Sequence, residues 1–208
     1  GRLDYLLHVS ELVQKDSIHL LDIGAGASLI YPILGTCHFN WKCTASEISD
    51  SSLKNAAEII RKNSKLQSIE LRKQECKTSI LKNIIQPSDF FDILICNPPF
   101  YKNSTEANRQ NTRKNKNLKN KKIESRNFSG ISDELWYPGG EKKFIEKLVK
   151  EGVEFKNQIE WFTTLISNED HLRSIKKAIQ KTKPKSLKVL QMGQGNKTSR
   201  FAAWSYLK

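Results

Sequence analysis

Residues 91–100 read FDILICNPPF. A run with apolar residues on both alternations enters Asn97, Pro98, Pro99 and Phe100, where a turn of Gly, Asn, Asp or Ser would be ordinary. The run predicts a strand over 91–97, buried on both faces, as in a parallel sheet. Pro98 forces Asn97 into an extended conformation, and neither proline has an N–H. The carbonyls of this corner are then free of a local turn and can point into a cleft.

Outward from this strand the chain alternates. Helical spacing of Leu3, Leu6, Leu7, Val9, Leu12 and Val13 predicts a helix over 3–14. IHLLDIG (18–24) reads as a buried strand ending at glycine. A helix starts within 27–35, with Pro32 in its first turn or breaking it. Strands follow at 41–47 and 69–74, around a helix at 51–64 with a serine N-cap. A short helix is expected over 78–85. Beyond the fourth strand, helices from about Glu141 and over 169–181 flank a fifth strand at 159–167. Strands at 186–192 and 199–207 around GQGNKT make a C-terminal hairpin. The expectation is an α/β three-layer sandwich of Rossmann-like, class I S-adenosylmethionine (SAM)-dependent methyltransferase type. Its seven-stranded sheet is mostly parallel, and one domain spans 1–208.

DIGAGA (22–27) follows the first strand. Gly24 and Gly26 permit a tight turn and close approach of a ligand to the backbone. Glu47, at the end of the second strand, is placed where nucleotide-binding sheets use an acid to accept ribose hydroxyls. Together they point to an adenosine-bearing cofactor. SAM fits better than NAD, because the turn lacks the glycine-rich helix start that cradles a pyrophosphate.

Ligands of open parallel sheets bind at the carboxyl ends of the strands, so Asn97 faces the same crevice as Gly24. An exocyclic amine is a poor nucleophile, with its lone pair delocalised into the ring. Two acceptors, the Asn97 side-chain oxygen and the Pro98 carbonyl, can hold its two N–H groups and aim the lone pair at a methyl group. That is catalysis by positioning and electrostatics. Pro99 stiffens the corner, and Phe100 offers an aromatic face to an unstacked base. The pattern leaves adenine N6, guanine N2 and a glutamine amide open as targets.

The chain has 35 Lys and Arg against 22 Asp and Glu, a net charge of +13. This favours a polyanionic partner, most simply RNA, although a basic solvated surface or a biased genome accounts for part of it. Residues 102–126 hold nine Lys/Arg and two Glu with almost no apolar residue, and are expected to form a long mobile loop. Lys114, Lys116, Lys119, Lys121 and Lys122 are expected to meet phosphates without reading sequence. No run of 18 apolar residues occurs, so no membrane span is expected. The scattered histidines and the absence of a C-x-x-C pair argue against a metal. Cys37, Cys43, Cys76 and Cys96 are expected as reduced thiols in the cytoplasm, with a Cys37–Cys43 disulfide as the alternative.

GRLDYL, LDIGAGASLIYPILG, ICNPPF, NFSGISDELWYPGGEKKFI, WFTTLIS and GQGNKTSRFAAWSY together resemble the bacterial adenine-N6 methyltransferases of 23S ribosomal RNA. A eukaryotic enzyme that methylates adenine in U6 small nuclear RNA and messenger RNA is more distantly similar. The resemblance covers almost the whole chain and is poorest over 102–126. It implies methyl transfer from SAM to an adenine N6 of 23S ribosomal RNA or a large-subunit assembly intermediate. It also implies that a segment preceding GRLDYL in the family is missing here. Arg2 is implied as a partner of the SAM carboxylate; Gly24, Ser28, Glu47 and Asn97 as lining the cofactor site; and Thr78 as flanking its adenine. Gly139, Gly140 and Glu141 either shape the target pocket or form a loop and helix start. Trp136 and Tyr137, beside those glycines, are candidates for RNA contact, whereas Trp204 on the last strand is expected in the core. Guanine-N2 methylation and a silent RNA-binding module of the same fold remain as alternatives, and a monomer is the default.

Overall fold

In a computed structural model of the 208-residue chain, the structure describes residues 1–99, 101–102, 136–194 and 197–208. Seven strands form one sheet: β1 (His19–Ile23), β2 (Lys42–Glu47), β3 (Glu70–Lys73), β4 (Phe91–Cys96), β5 (Ile159–Ile166), β6 (Ser186–Gln194) and β7 (Lys197–Ser205). Their order is β3-β2-β1-β4-β5-β7-β6. The first five are parallel, and β7 lies antiparallel between β5 and β6. The chain winds outward from β1 in one direction and from β4 in the other. The crevice between them is therefore the switch point at which such sheets take ligands.

Helices α1 (Arg2–Val13), α2 (Ile30–Phe39) and α3 (Asp50–Arg61) cover one face. Helices α4 (Gly140–Gly152) and α5 (Glu169–Lys181) cover the other. Alternation along the strands serves both faces at once. In β4, Ile93 and Ile95 belong to the core under α1, while Leu94 and Cys96 belong to the core under α4 and α5. This is why FDILIC is apolar at nearly every position. Trp204 is fully buried, as expected, and stacks on Phe162 at 5.4 Å and 12°.

Local chemistry sets the helix ends. Pro32 is the third residue of α2, inside the first turn, where its missing N–H costs nothing. The Ser49 hydroxyl accepts from the Ser52 N–H at 3.3 Å and caps α3. Gly35 lets α2 settle on the sheet, since a Cβ there would stand 2.9 Å from the Cys43 sulfur. Cys37 and Cys43 form no disulfide; all four cysteines are free.

Two expectations are corrected. Residues 78–85 are not a helix but a series of turns with Asn83 in the left-handed region (φ 70°). The apolar spacing was sound, for Ile80, Leu81, Ile84 and Ile85 are all buried. The backbone, however, bonds elsewhere. The Glu151 carboxylate accepts from the Ile80 and Leu81 N–H groups at 2.9 and 2.8 Å. The Gln74 amide donates to the Ile80 and Lys82 carbonyls at 3.2 and 2.9 Å. The hairpin strands also run further than GQGNKT suggested, with Gln194 paired to Lys197.

Candidate active site

Register brings the functional positions together. Ile23 pairs with Ser46 on one side and Cys96 on the other, and Glu47 pairs with Lys73. Gly24, Glu47, Gln74 and Asn97 therefore lie side by side at the carboxyl ends of four neighbouring strands. They line one cavity of about 780 Å³ together with Thr78, Ile80, Pro99, Trp136, Tyr137, Phe144 and Lys147.

The wall at β1 and β2 is held by backbone amides. The Gly24 and Ala25 N–H groups both donate to the Ser46 carbonyl at 3.0 Å. Gly24 and Gly26 have φ of 71° and 66°, which side-chain-bearing residues resist. A Cβ on Gly24 would meet nothing within 4 Å, so the backbone there is open to a ligand. Glu47 is buried. Its Oε1 accepts from Ile48 and Ser49 at 2.7 and 2.9 Å, and its Oε2 from Gly26 at 2.9 Å. A carboxylate offers about four lone-pair positions, so Oε2 retains capacity for a hydroxyl. Behind this wall Asp22 is 1% exposed, and its Oδ2 has no partner among the described residues. Burial, reinforced by the nearby Glu47 charge, pushes the Asp22 carboxyl up to about 8.

The facing wall is less complete. Asn97 is half-buried, and no group among the described residues bonds to its amide. Trp136 bridges to Tyr101, and the Tyr137 N–H donates to the Tyr101 carbonyl at 3.0 Å. The Trp136 indole N–H is buried without a partner among the described residues. Tyr137 meets the edge of Phe144 at 5.1 Å. Gly139 and Gly140, at φ 86° and 70°, turn this segment into α4. Glu141 next to them is a structural anchor. Its carboxylate accepts from the Ser167 N–H and hydroxyl at 2.6 and 2.5 Å, from the Asn168 N–H at 3.3 Å, and contacts His171 Nδ1 at 2.7 Å. Of the two readings of Gly139–Glu141, the loop and helix start is the one observed.

Arg2, Gly26, Ser28 and Pro98 stand outside the set that lines the cavity. Gly26 acts from behind, through Glu47. Arg2 is exposed at the start of α1, near enough for its charge to oppose the upward push that burial exerts on the Tyr31 phenol. Ser28 is exposed in the turn before α2. Phe100, Lys114, Lys116, Lys119, Lys121 and Lys122 lie outside the described residues. Gln74, Phe144 and Lys147 were missed. Gln74 had a signal, since it directly follows a strand on the same side of the sheet as Gly24 and Asn97. Lys147, whose ammonium donates to the Thr78 carbonyl, had none.

The arrangement fits SAM. It offers an open glycine turn to an amino acid moiety, an acid with spare acceptor capacity to ribose and, beside both, an amide without a partner among the described residues. Comparison with known proteins agrees. A family model described as RNA methyltransferase matches residues 1–208. The ribosomal RNA large subunit methyltransferase F of Flavobacterium johnsoniae is 41% identical over 221 residues, spanning 100% of this chain and 70% of that protein. The protein of the same name from Colwellia psychrerythraea is 40% identical, spanning 99% and 74%. Among solved structures, the hMettl16 catalytic domain in complex with a MAT2A 3′UTR hairpin superposes with a TM-score of 0.80. It is 27% identical and covers 99% of this chain and 69% of that one. The chain belongs to this family of RNA methyltransferases and has the class I SAM-dependent methyltransferase fold.

Proposed function

We propose that the chain transfers a methyl group from SAM to the N6 amine of one adenine in 23S ribosomal RNA. The observation that carries this reading is Asn97, whose amide bonds to no group among the described residues and which shares a cavity with Gly24 and Glu47. When bound, SAM supplies a methyl group made electrophilic by a sulfonium. Gly24 and Glu47 hold it against the ends of β1 and β2. The Asn97 oxygen and the Pro98 carbonyl accept the two N–H groups of the target amine and turn its lone pair toward the methyl carbon. Pro99 keeps the corner rigid and Phe100 offers an aromatic face to the extruded base, with Trp136 and Tyr137 as candidates for further RNA contact. The corner needs no strong base, because the nitrogen loses its extra proton only after the new N–C bond has formed.

Arg2, Gly26, Ser28 and Thr78 complete the cofactor side in this reading. Lys114, Lys116, Lys119, Lys121 and Lys122 bind phosphates. The protein acts as a monomer in the cytoplasm, on 23S ribosomal RNA or a large-subunit assembly intermediate.

The test is methyl transfer from labelled SAM to a 23S transcript, with the product nucleoside identified by mass spectrometry. N6-methyladenine that disappears in Asn97→Ala is expected. Methylguanosine would overturn the target base, and no transfer to the 23S transcript or to a large-subunit assembly intermediate assayed beside it would overturn the reading.

A further inference from the structure

The +13 charge is unevenly spread. From His171 to Lys208 there are ten Lys/Arg and not one Asp or Glu, so this stretch carries +10 of the total. Arg200 pairs with Glu169 and Lys208 with Glu160. Arg173, Lys176, Lys177, Lys181, Lys183 and Lys185 form no ion pair with a carboxylate among the described residues.

The fold gathers several of them around one cleft. α5 ends at Lys181 with Thr182 as its C-cap, Lys183 adopts the left-handed conformation (φ 54°), and Pro184 prevents continuation. The chain then reverses into β6. Lys176 and Gln180 on the helix thus share with Lys183 and Lys185 the lining of a cleft of about 510 Å³, where the Lys185 ammonium donates to the Leu207 carbonyl at 3.4 Å. Leu187 and Val189, which share one face of β6 by period two, line the same cleft. Lys188 points to the other face, 5.3 Å from the Trp161 ring. Since α5 runs back from the carboxyl end of β5, its last turn lies at the opposite end of the sheet from the cavity.

Two ordinary roles explain part of this charge. Cations near a helix C-terminus favour its dipole, but the effect fades beyond the last turn, which leaves Lys176 unexplained. Lysines on an edge strand discourage edge-to-edge pairing, which applies to Lys188 but not to Lys185, which precedes the strand, or to the helix. Like charges crowded around a cleft repel one another, and a polyanion relieves that repulsion.

Given an RNA substrate as proposed above, we infer that the α5–β6 cleft is a second RNA-binding surface. It holds phosphates remote from the methylated base. It contributes affinity and salt dependence, and takes no part in chemistry at Asn97.

The test is the triple variant Lys176→Gln, Lys183→Gln, Lys185→Gln, compared with the charge-preserving arginine triple. All three residues are exposed, and unchanged SAM affinity and melting temperature will show that the variant is folded. Binding of a 23S fragment is measured across a salt series. Each lost phosphate contact removes about 0.7–0.9 from the log–log slope, so a fall of about 2–3 is expected. KM for RNA should rise roughly tenfold with kcat unchanged, and the arginine triple should behave as wild type. An unchanged slope and KM in the folded glutamine triple would overturn the inference. The slope reads binding alone and remains decisive even if the wild type methylates no RNA, a result that would instead overturn the proposed function.

Discussion

The two walls of the cavity are finished to different degrees. At Gly24 and Glu47 the backbone is tied down: three N–H groups converge on one carboxylate and two on the Ser46 carbonyl. At Asn97 and Trp136 an amide and a buried indole N–H have no partner among the described residues. Asn97 is half-buried and its amide stays within reach of a ligand, whereas the Trp136 indole N–H is buried, where an unmet donor costs about 1–3 kcal/mol. A wall complete in itself suits a cofactor common to every turnover. A wall with open valences suits the group that must be discriminated.

The sharpest way to break this comparison is Asn97→Ala. Methyl transfer should fall by about 10²–10³-fold, while SAM affinity changes by only a few-fold and stability by less than about 1 kcal/mol. Calorimetry and single-turnover kinetics separate the two. A comparable loss of stability would mean that Asn97 belongs to the frame. Glu47→Gln should do the reverse. An amide has one acceptor oxygen and turns an NH₂ toward a backbone donor, so about 2–4 kcal/mol of stability should be lost and SAM affinity should drop at least tenfold. Denaturant midpoints alongside SAM titration check it.

Asp22 is the flaw in the finished wall. Its folded carboxyl is raised to about 8 from 3.8, so between those values the folded state holds a proton that the unfolded state has released. Stability contributed at this site therefore falls as pH rises from about 4 to about 8. Asp22→Asn should flatten that decline, visible as converging midpoints in urea melts at pH 5 and pH 8. The smallest effect concerns Cys76, whose thiol is brought down to about 7 chiefly by the Thr78 hydroxyl at 3.2 Å. Iodoacetamide at pH 7.5 should mark it well before buried Cys43 and Cys96. Saturating SAM should slow the reaction, because Thr78 lines the cavity.

The fold was legible wherever local pattern and tertiary demand coincide. The helix 169–181 and the strand ending at Asn97 were placed to within a residue, by periodicity and by the proline corner. Residues 78–85 failed because their hydrogen bonds go to Glu151 and Gln74, partners that no local window contains. At the site, Gly24, Glu47 and Asn97 could be read because each ends or directly follows a strand in the same sheet. Phe144 and Lys147 could not, since α4 brings them to the cavity from a position fixed by Glu141 and its distant contacts with Ser167 and Asn168. The Glu47 carboxylate was expected to await a ribose, but it already supports the turn that presents Gly24.

The late strand β7 has a consequence for how the protein is made. It pairs with β5 on one side and β6 on the other, and it delivers Phe201 to one core and Trp204 to the other. Translation supplies residues from the amino end, so a nascent chain that has not passed Lys197 has a sheet with its inner slat missing. β5 then presents a bare edge, and both layers of helices lie over a gap. Such chains should be degraded readily by protease and held by chaperones, and the transition to resistance should arrive within the few residues that carry Phe201 and Trp204 clear of the ribosomal exit.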